Sequence, residues 1–111
     1  MNNTDTTKEI IDKIKTELPD IKKKYSIKSL GIFGSYIRNE QKNDSDLDML
    51  IEFEDEAVIT LIDFVQLENY LSDLLNNKVD LVMKKSLKPR IGKQILEEVL
   101  YLWLKEYMVI T

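Results

Sequence analysis

A short series of glycine, serine and aspartate residues carries the most chemistry in this chain. Gly34-Ser35 is followed, after ten further residues, by Asp46-Leu47-Asp48, and a third carboxylate, Asp80, stands inside the apolar run Val79 to Met83. A Gly-Ser turn can present backbone N–H groups and a hydroxyl to phosphate oxygens. Carboxylate oxygens are the ligands that Mg²⁺ prefers. Together these residues predict a site that holds a nucleoside triphosphate and the Mg²⁺ that accompanies it.

The carboxylates suit phosphoryl or nucleotidyl transfer, in which two cations about 3.5–4 Å apart clamp the attacking and leaving oxygens. Asp46 and Asp48 lie two residues apart on a predicted strand, so both point to one face and could bridge both ions. Asp80 could complete the ion that activates the attacking hydroxyl, and could take its proton. Because its strand is otherwise apolar, we expect Asp80 to be buried, with a metal or a neighbouring strand compensating its charge.

Arg38 follows Ser35 by one helical turn, which places it to reach a phosphate or a carboxylate. The sequence leaves two roles open for Arg38. It could contact the nucleotide, or it could form an ion pair with Asp46 or Glu40.

Each of these signals has an ordinary structural explanation when it is taken alone. Gly-Ser pairs are common in turns, Asp-x-Asp often ends a solvated loop, and a single Asp in a strand can be an ion-pair partner. Their order and spacing on three predicted strands favour the functional interpretation over coincidence.

Composition narrows the classes of function. The chain has 111 residues, of which 43% are hydrophobic, so we expect one domain with a core of its own. It has no cysteine, which excludes disulfides and thiolate metal sites, and no histidine, which leaves a carboxylate as the general base. No apolar stretch could span a bilayer, and the absence of a signal peptide favours a cytoplasmic location.

The net charge of −4 makes the chain a poor general binder of nucleic acid, because phosphate contacts need clustered lysine and arginine. Of two basic groups, Lys22-Lys23-Lys24 is typical of a solvated helix end. The second group follows Asp80 closely and could lie near bound phosphates; it consists of Lys84-Lys85, Lys88 and Arg90.

Hydrophobic periodicity predicts the elements that must position these residues. Helical spacing covers residues 6–24, where Pro19 should kink or divide the helix, and also residues 61–75 and 88–100. Apolar runs and alternation predict three strands, at Ile27 to Phe33, at residues 46–53 and at Val79 to Met83. The segment between the first two strands should be a loop with one helical turn.

The C-terminal segment is apolar for a chain end. We expect Leu100 to Leu104 to join the core, because Ile91, Ile95 and Val99 lead into them at near-helical spacing. We expect Tyr107 to Ile110 to contact a partner or a second copy, because Lys105-Glu106 interrupts the pattern.

Several stretches of the chain also resemble a known family. The segment from Gly31-Ile-Phe-Gly-Ser-Tyr-Ile-Arg through Asp44-Ser-Asp-Leu-Asp-Met-Leu-Ile is similar to the signature of the DNA polymerase β-like nucleotidyltransferases. Lys78-Val-Asp-Leu-Val, Ser86-Leu-Lys-Pro and Ile95-Leu-Glu-Glu-Val-Leu-Tyr resemble its small branch, the minimal nucleotidyltransferases of the MntA antitoxin type. The resemblance runs from about residue 6 to residue 102.

The resemblance implies an α/β (α+β) fold with a short mixed sheet flanked by helices. It implies a single nucleotidyltransferase domain over residues 1–111, with a core at about 6–102 and an apolar extension at 103–111. The family's metal carboxylates correspond to Asp46, Asp48 and Asp80, and its phosphate-binding pair to Gly34 and Ser35. Members of this branch use Mg²⁺ to transfer AMP from ATP to a tyrosine of a HEPN-domain ribonuclease toxin, which silences the toxin.

Two other functions stay open at this point. The chain could neutralise its partner mainly by covering it, or it could modify a small molecule. The second alternative is weaker, because such enzymes generally carry an extra domain for the acceptor and 111 residues leave no room for one.

Overall fold

The computed structural model of the chain describes residues 3–105. Within that range the chain forms helices, strands and one 3₁₀ turn (Lys84–Ser86), and no helix there is both long and apolar enough to cross a bilayer. The helices and strands follow one another as α1 (Asn3–Tyr25), β1 (Ile27–Phe33), α2 (Ser35–Arg38), β2 (Leu47–Phe53), α3 (Leu61–Leu75), β3 (Val79–Met83), α4 (Pro89–Glu98) and β4 (Leu100–Leu104).

The four strands form one mixed sheet in the order β3-β2-β1-β4. β1 pairs antiparallel with β2 on one side and with β4 on the other, whereas β2 and β3 are parallel. The predicted α/β fold, a short mixed sheet flanked by helices, is therefore confirmed.

One face of the sheet packs against α1 and α3 and forms the core. Leu47, Met49 and Ile51 of β2 are completely buried on this face. Helix α1 contributes a stripe of buried side chains spaced three or four residues apart, as expected for a helix with one apolar face: Ile10, Ile14, Leu18 and Ile21. Burial of each such side chain stabilises the fold by roughly 1.5–3 kcal/mol.

The other face of the sheet carries the polar residues. Alternation along β2 turns Asp48 away from the face that Met49 occupies. The parallel pairing of β2 with β3 then sets Asp48 directly beside Asp80. Helix α4 lies over this face, where Ile95 lines a cleft together with Phe33 and Asp48.

Pro19 neither divides nor ends the first helix, contrary to one of the two outcomes predicted for it. α1 is assigned as a single helix from Asn3 to Tyr25 with Pro19 inside it, although proline removes one backbone hydrogen bond. Leu18, Ile21 and Tyr25 are buried around this point. Their packing on the core holds the helix together across the missing bond.

The C-terminal part of the fold differs from the prediction for residues 88–100. Helix α4 ends at Glu98, and Leu100–Leu104 form a fourth strand rather than a continuation of the helix. Leu102 and Trp103 pack against the core as expected, but Leu100 and Leu104 are 44% and 47% exposed. The predicted contact segment, Tyr107 to Ile110, lies outside the described residues.

Candidate active site

The turn between β1 and α2 brings Gly34 against Asp48. Gly34 has φ +80° and ψ −150°, a conformation that only glycine adopts readily. A Cβ added at Gly34 would collide with Asp48 Oδ2 and would lie 3.1 Å from Asp48 Cγ. Both constraints require glycine here, and the carboxylate of Asp48 therefore lies directly against the Gly-Ser turn.

Other carboxylates also crowd Asp48. Asp80 is its partner across the parallel strand pair, and Asp46 precedes it by two residues. Burial raises the pKa of Asp48 to about 6, helped by the negative charges of Asp80 and Asp46, while the positive charge of Arg38 acts in the opposite direction. A cation bound near these groups would offset the cost of burying the Asp48 charge and its repulsion by Asp80 and Asp46.

Asp80 is exposed, which corrects the expectation that it is buried. β3 has one face on the core and one face open, so Val79 and Leu81 are buried while Asp80 between them is not. Asp46 is also exposed, and Lys78 Nζ lies 3.8 Å from Asp46 Oδ2. Solvent therefore stabilises much of the charge of Asp80. From the sequence, we had expected a metal or a neighbouring strand to do this.

The donor chemistry of the three carboxylates fits Mg²⁺. All of them offer hard oxygen ligands, and Mg²⁺ is commonly held by one or two carboxylates together with waters and substrate phosphates. Among residues 3–105, no three acidic, histidine or cysteine side chains converge into a complete metal cage. The arrangement suits an ion that arrives with phosphate oxygens.

Ser35 opens helix α2 next to Gly34 and is partly exposed. The following residue, Tyr36, is buried, and its hydroxyl accepts a hydrogen bond from Asn77 Nδ2. This bond ties α2 to the turn that precedes β3. Ser35 is therefore held at the end of the sheet where β2 and β3 begin. Asp48 and Asp80 lie at this same end.

Arg38 forms ion pairs with two glutamates. Its Nε donates to Glu40 Oε1 at 2.9 Å, and its Nη1 donates to both carboxylate oxygens of Glu98 at 3.1 Å. These hydrogen bonds raise the pKa of Arg38 above its ordinary value. The predicted pairing with Glu40 is confirmed, whereas the structure gives Asp46 a different cation, Lys78.

Glu98 is a functional candidate that the sequence did not reveal. Its Oε2 accepts a hydrogen bond of 2.7 Å from the Gly34 N–H. Glu98, Arg38, Gly34 and Asp48 line one open cleft of about 630 Å³ beside the α4 side chains Ile91, Gln94 and Ile95. Glu98 lies 64 residues after Gly34 in the chain, so no local pattern could have connected the two.

Lys84, in the second basic group, does not lie near the site carboxylates Asp48 and Asp80. Lys84 directly follows the C-terminal end of β3, and its Nζ lies 3.5 Å from Glu52 Oε1. Four residues of extended strand separate Glu52 from Asp48, which is about 13 Å at 3.3 Å per residue. Lys84 therefore lies at the opposite end of the sheet, where it balances the charge of Glu52, and Lys85 and Lys88 line a cleft with these two residues.

Comparison with known proteins identifies the family. Residues 11–102 match the family described as "Nucleotidyltransferase domain". The chain is 43% identical over 96 residues to the protein adenylyltransferase MntA of Thermococcus cleftensis, an alignment that covers 86% of this chain and 95% of that protein.

Solved structures share the fold at lower identity. A crystal structure of a toxin–antitoxin with AMP-PNP superposes with a TM-score of 0.67 at 22% identity, over 83% of this chain and 74% of the other. A complex of a tri-AMPylated HEPN toxin from Shewanella oneidensis with an MNT antitoxin gives a TM-score of 0.57 at 21% identity, over 93% and 73%.

The family match covers most of the chain, including β1, β2 and β3, which carry or flank the Gly-Ser turn and the carboxylates. The alignment with MntA covers nearly the full length of that protein. The chain therefore belongs to the nucleotidyltransferase domain family, as a minimal nucleotidyltransferase related to the protein adenylyltransferase MntA.

Proposed function

We propose that this enzyme is a Mg²⁺-dependent antitoxin that transfers AMP from ATP to a tyrosine of a HEPN-type ribonuclease toxin and so neutralises it. The observation that carries the proposal is the position of Asp48, which lies against Gly34 and beside Asp80. The turn that we propose binds phosphate thus lies beside two carboxylates that we propose bind the metal. Nucleotidyl transfer needs these groups together.

In this proposal the Gly34-Ser35 turn and Arg38 hold the triphosphate of ATP. The tyrosine oxygen attacks the α-phosphorus, a new P–O bond forms, and the bond between the α- and β-phosphates breaks. Diphosphate leaves with the bonding electrons. Asp80 is exposed to the solvent side from which an acceptor can enter, and it takes the proton of the tyrosine hydroxyl.

Asp46, Asp48 and Asp80 are the residues that would hold Mg²⁺, with two ions at full occupancy. The metal would neutralise charge on the phosphates and lower the pKa of the attacking hydroxyl. The raised pKa of Asp48, caused first by burial and then by Asp80 and Asp46, supports a cation at this position.

The toxin partner is proposed from the solved relatives, which include a HEPN toxin in complex with an MNT antitoxin. A second candidate function is neutralisation by binding alone. Apolar side chains just before and at the start of α3 favour contact with a partner, since Val58, Leu61 and Ile62 are 87%, 78% and 69% exposed. The cytoplasmic location stays a prediction from the sequence.

The test is co-expression of the chain with a HEPN-type protein encoded beside it, followed by intact-mass analysis of that protein. We expect the toxin to gain the mass of one or more AMP units, located on tyrosine by peptide sequencing. Asp48→Asn should abolish the gain. Asp55→Asn removes the same charge from an exposed loop residue outside the site and should leave it unchanged.

Two other results would redirect the proposal. Neutralisation of the toxin without any mass gain would favour binding alone. Transfer of AMP to small hydroxyl compounds, with no modification of the co-expressed protein, would favour a small-molecule nucleotidyltransferase.

A further inference from the structure

Glu98 joins three parts of the molecule that are far apart in sequence. It is the last residue of α4, it accepts a hydrogen bond from the Gly34 N–H, and it accepts two from Arg38 Nη1. The side chain of Glu98 is 24% exposed and that of Arg38 is 49% exposed. The glutamate is thus the more enclosed partner and the arginine the more exposed one, and both line the cleft beside Gly34.

We infer that Glu98 is a positioning residue of the nucleotide site, which orients the guanidinium of Arg38 for the triphosphate and acts through Arg38 rather than on the nucleotide itself. This inference rests on the proposed function, because it takes the cleft beside Gly34 as the place where ATP binds.

The two glutamates restrict the conformational freedom of Arg38. This residue ends a helix of only four residues, and its side chain has many rotamers. Glu40 binds its Nε and Glu98 binds its Nη1, so two separate edges of the planar group are fixed at once. A guanidinium held in this way binds phosphate with less loss of side-chain entropy.

Glu98 is itself held in place by its hydrogen-bond donors and by the packing of the next residue. A negative charge at the C-terminal end of a helix is disfavoured by the helix dipole, so Glu98 depends on its donors. The next residue, Val99, packs tightly against β1: a Cβ added at Gly31 would lie 2.6 Å from Val99 Cγ2 and 3.0 Å from the Leu100 carbonyl oxygen. This close approach fixes Glu98 relative to β1, and therefore fixes Arg38 relative to the Gly-Ser turn.

A competing interpretation makes the opposite prediction. The carboxylate of Glu98 accepts hydrogen bonds from the Gly34 N–H and from Arg38, and phosphate oxygens could use the same donors. In this interpretation Glu98 competes with the triphosphate, which must displace it. Removal of its charge would then strengthen nucleotide binding, whereas loss of a positioning residue weakens it.

Glu98→Gln separates these two interpretations. An amide oxygen in place of Oε2 can still accept from the Gly34 N–H, which protects the fold, and from Arg38 Nη1. The amide nitrogen in place of Oε1 cannot accept, so one of the two bonds from Arg38 is lost together with the charge of the ion pair. The probe is Mg²⁺ with AMP-PNP, titrated by calorimetry without any acceptor protein. We expect the affinity to fall about tenfold, the effect of losing one well-placed contact.

Glu97→Gln is the matched control for charge. Glu97 is exposed on the same helix, beside the same cleft, and it takes no part in the bonds to Gly34 and Arg38. Its substitution removes an equal charge, so a small gain in affinity is expected. If Glu98→Gln binds as tightly as Glu97→Gln or more tightly, the inference is wrong.

A double-mutant cycle with Arg38→Met tests whether Glu98 acts through Arg38. In the Arg38→Met background, Glu98→Gln should no longer weaken AMP-PNP binding and should match Glu97→Gln. A purely structural role would instead lower the affinity equally in both backgrounds, together with the thermal midpoint, and would overturn the inference.

The failure of this inference can be told from the failure of the proposed function. Nucleotide binding that responds to Glu98 as expected, without AMP transfer to the toxin, contradicts only the proposed function. Transfer that proceeds while Glu98→Gln behaves like Glu97→Gln contradicts only the inference. No binding of Mg²⁺ and AMP-PNP by the unaltered protein contradicts both.

Discussion

Asp48 combines two environments that rarely coincide. Its carboxylate packs against the backbone of Gly34, and it stands beside Asp80 on the next strand. Close packing fixes the side chain of Asp48. The neighbouring negative charges disfavour its ionised form unless a cation is bound nearby. Such a group is better suited to binding a ligand than to stabilising the fold.

Asp48→Asn should therefore abolish nucleotidyl transfer with little effect on folding. Loss of one charged contact at a reacting phosphate commonly lowers the rate by about 10²–10³. The thermal midpoint should not fall, because asparagine has the same shape and lacks the repelled charge. An unchanged transfer rate at saturating Mg²⁺ would remove Asp48 from the site.

Asp80→Ala should abolish transfer yet leave nucleotide binding measurable. In the proposed division of roles, Asp46 and Asp48 hold the metal that accompanies the triphosphate, and Asp80 serves the attacking hydroxyl. Calorimetry with Mg²⁺ and AMP-PNP checks this, with Asp46→Ala as the comparison. Equal losses of affinity in the two variants would contradict the division.

Gly34→Ala should impair both stability and activity. The backbone conformation of Gly34 costs a non-glycine residue about 1–3 kcal/mol, and the new methyl group would displace the Asp48 carboxylate. Urea denaturation and the transfer rate measure the two effects. Gly92→Ala is the control, because a Cβ there meets only Leu87, at 3.1 Å, within a helix that favours alanine.

Helix α3 shows how the local sequence sets the limits of an element. Thr60 and Asp63 form a reciprocal capping box: the Asp63 N–H donates to Thr60 Oγ1, and the Thr60 N–H donates to Asp63 Oδ2, both at 3.1 Å. The helix ends at Leu75, and the backbone of the following residue, Asn76, adopts the left-handed conformation. Two side chains of α3 then accept hydrogen bonds from the backbone of the edge strand β3, Ser72 from Val79 and Glu68 from Leu81.

Thr60→Ala should lower the free energy of unfolding by about 1 kcal/mol, the usual cost of losing an N-cap. The control is Thr16→Ala in the exposed middle of α1. There the hydroxyl donates only to the Asp12 carbonyl, and alanine is the better helix former. Loss of stability of the same size in both variants would show that the cap contributes nothing specific.

The elements that could be predicted are those with strong local periodicity. Helix α3 and the strands β1 and β3 lie where their patterns indicated, and β2 begins one residue later. The end of α4 was predicted wrongly, because Ile91, Ile95 and Val99 keep helical spacing past the true end of the helix. Leu100–Leu104 lack polar alternation, so only the open edge of β1 decides that they form a strand.

The residues of the candidate site also divide into those that a local motif reveals and those that depend on distant contacts. Gly34, Ser35, Asp46, Asp48 and Asp80 were recognisable because each belongs to a short motif. Glu98 was not, because its role depends on contacts with residues about sixty positions away. The exposure of Asp80 was also missed, since an apolar strand sequence does not reveal that one of its faces is open.

β4 completes the molecule by pairing with the central strand β1. The Trp103 Nε1 donates to the Ile27 carbonyl at 3.3 Å, and Lys22 Nζ lies 3.4 Å from the centre of the Trp103 ring. The predicted boundary at residue 102 therefore falls inside a strand. The last bonds of the described fold are made by Lys105, to the Lys28 carbonyl and to Glu54.

Truncation after Lys105 should leave a folded monomer that binds ATP, because every bond described for β4 is kept. Truncation after Val99 is the contrasting variant and should not fold, since it removes β4. Circular dichroism and gel filtration measure both. The role of Tyr107 to Ile110 in association stays a prediction, and an unfolded Lys105 truncation would assign those residues to the core instead.

The position of β4 after all the other described strands in sequence also bears on how the protein is made. Gly34 and Asp48 leave the ribosome early, but β1 has only β2 beside it until the residues from Pro89 to Leu104 have followed. At 5–20 residues per second, the 51 residues from the end of β2 at Phe53 to the end of β4 at Leu104 take about 3–10 seconds. During that interval the free edge of β1 can pair with another nascent chain. Arrival of β4 closes this edge and delivers Glu98 to Arg38 in the same event, so we expect interrupted synthesis to yield a chain prone to aggregation rather than a partly active enzyme.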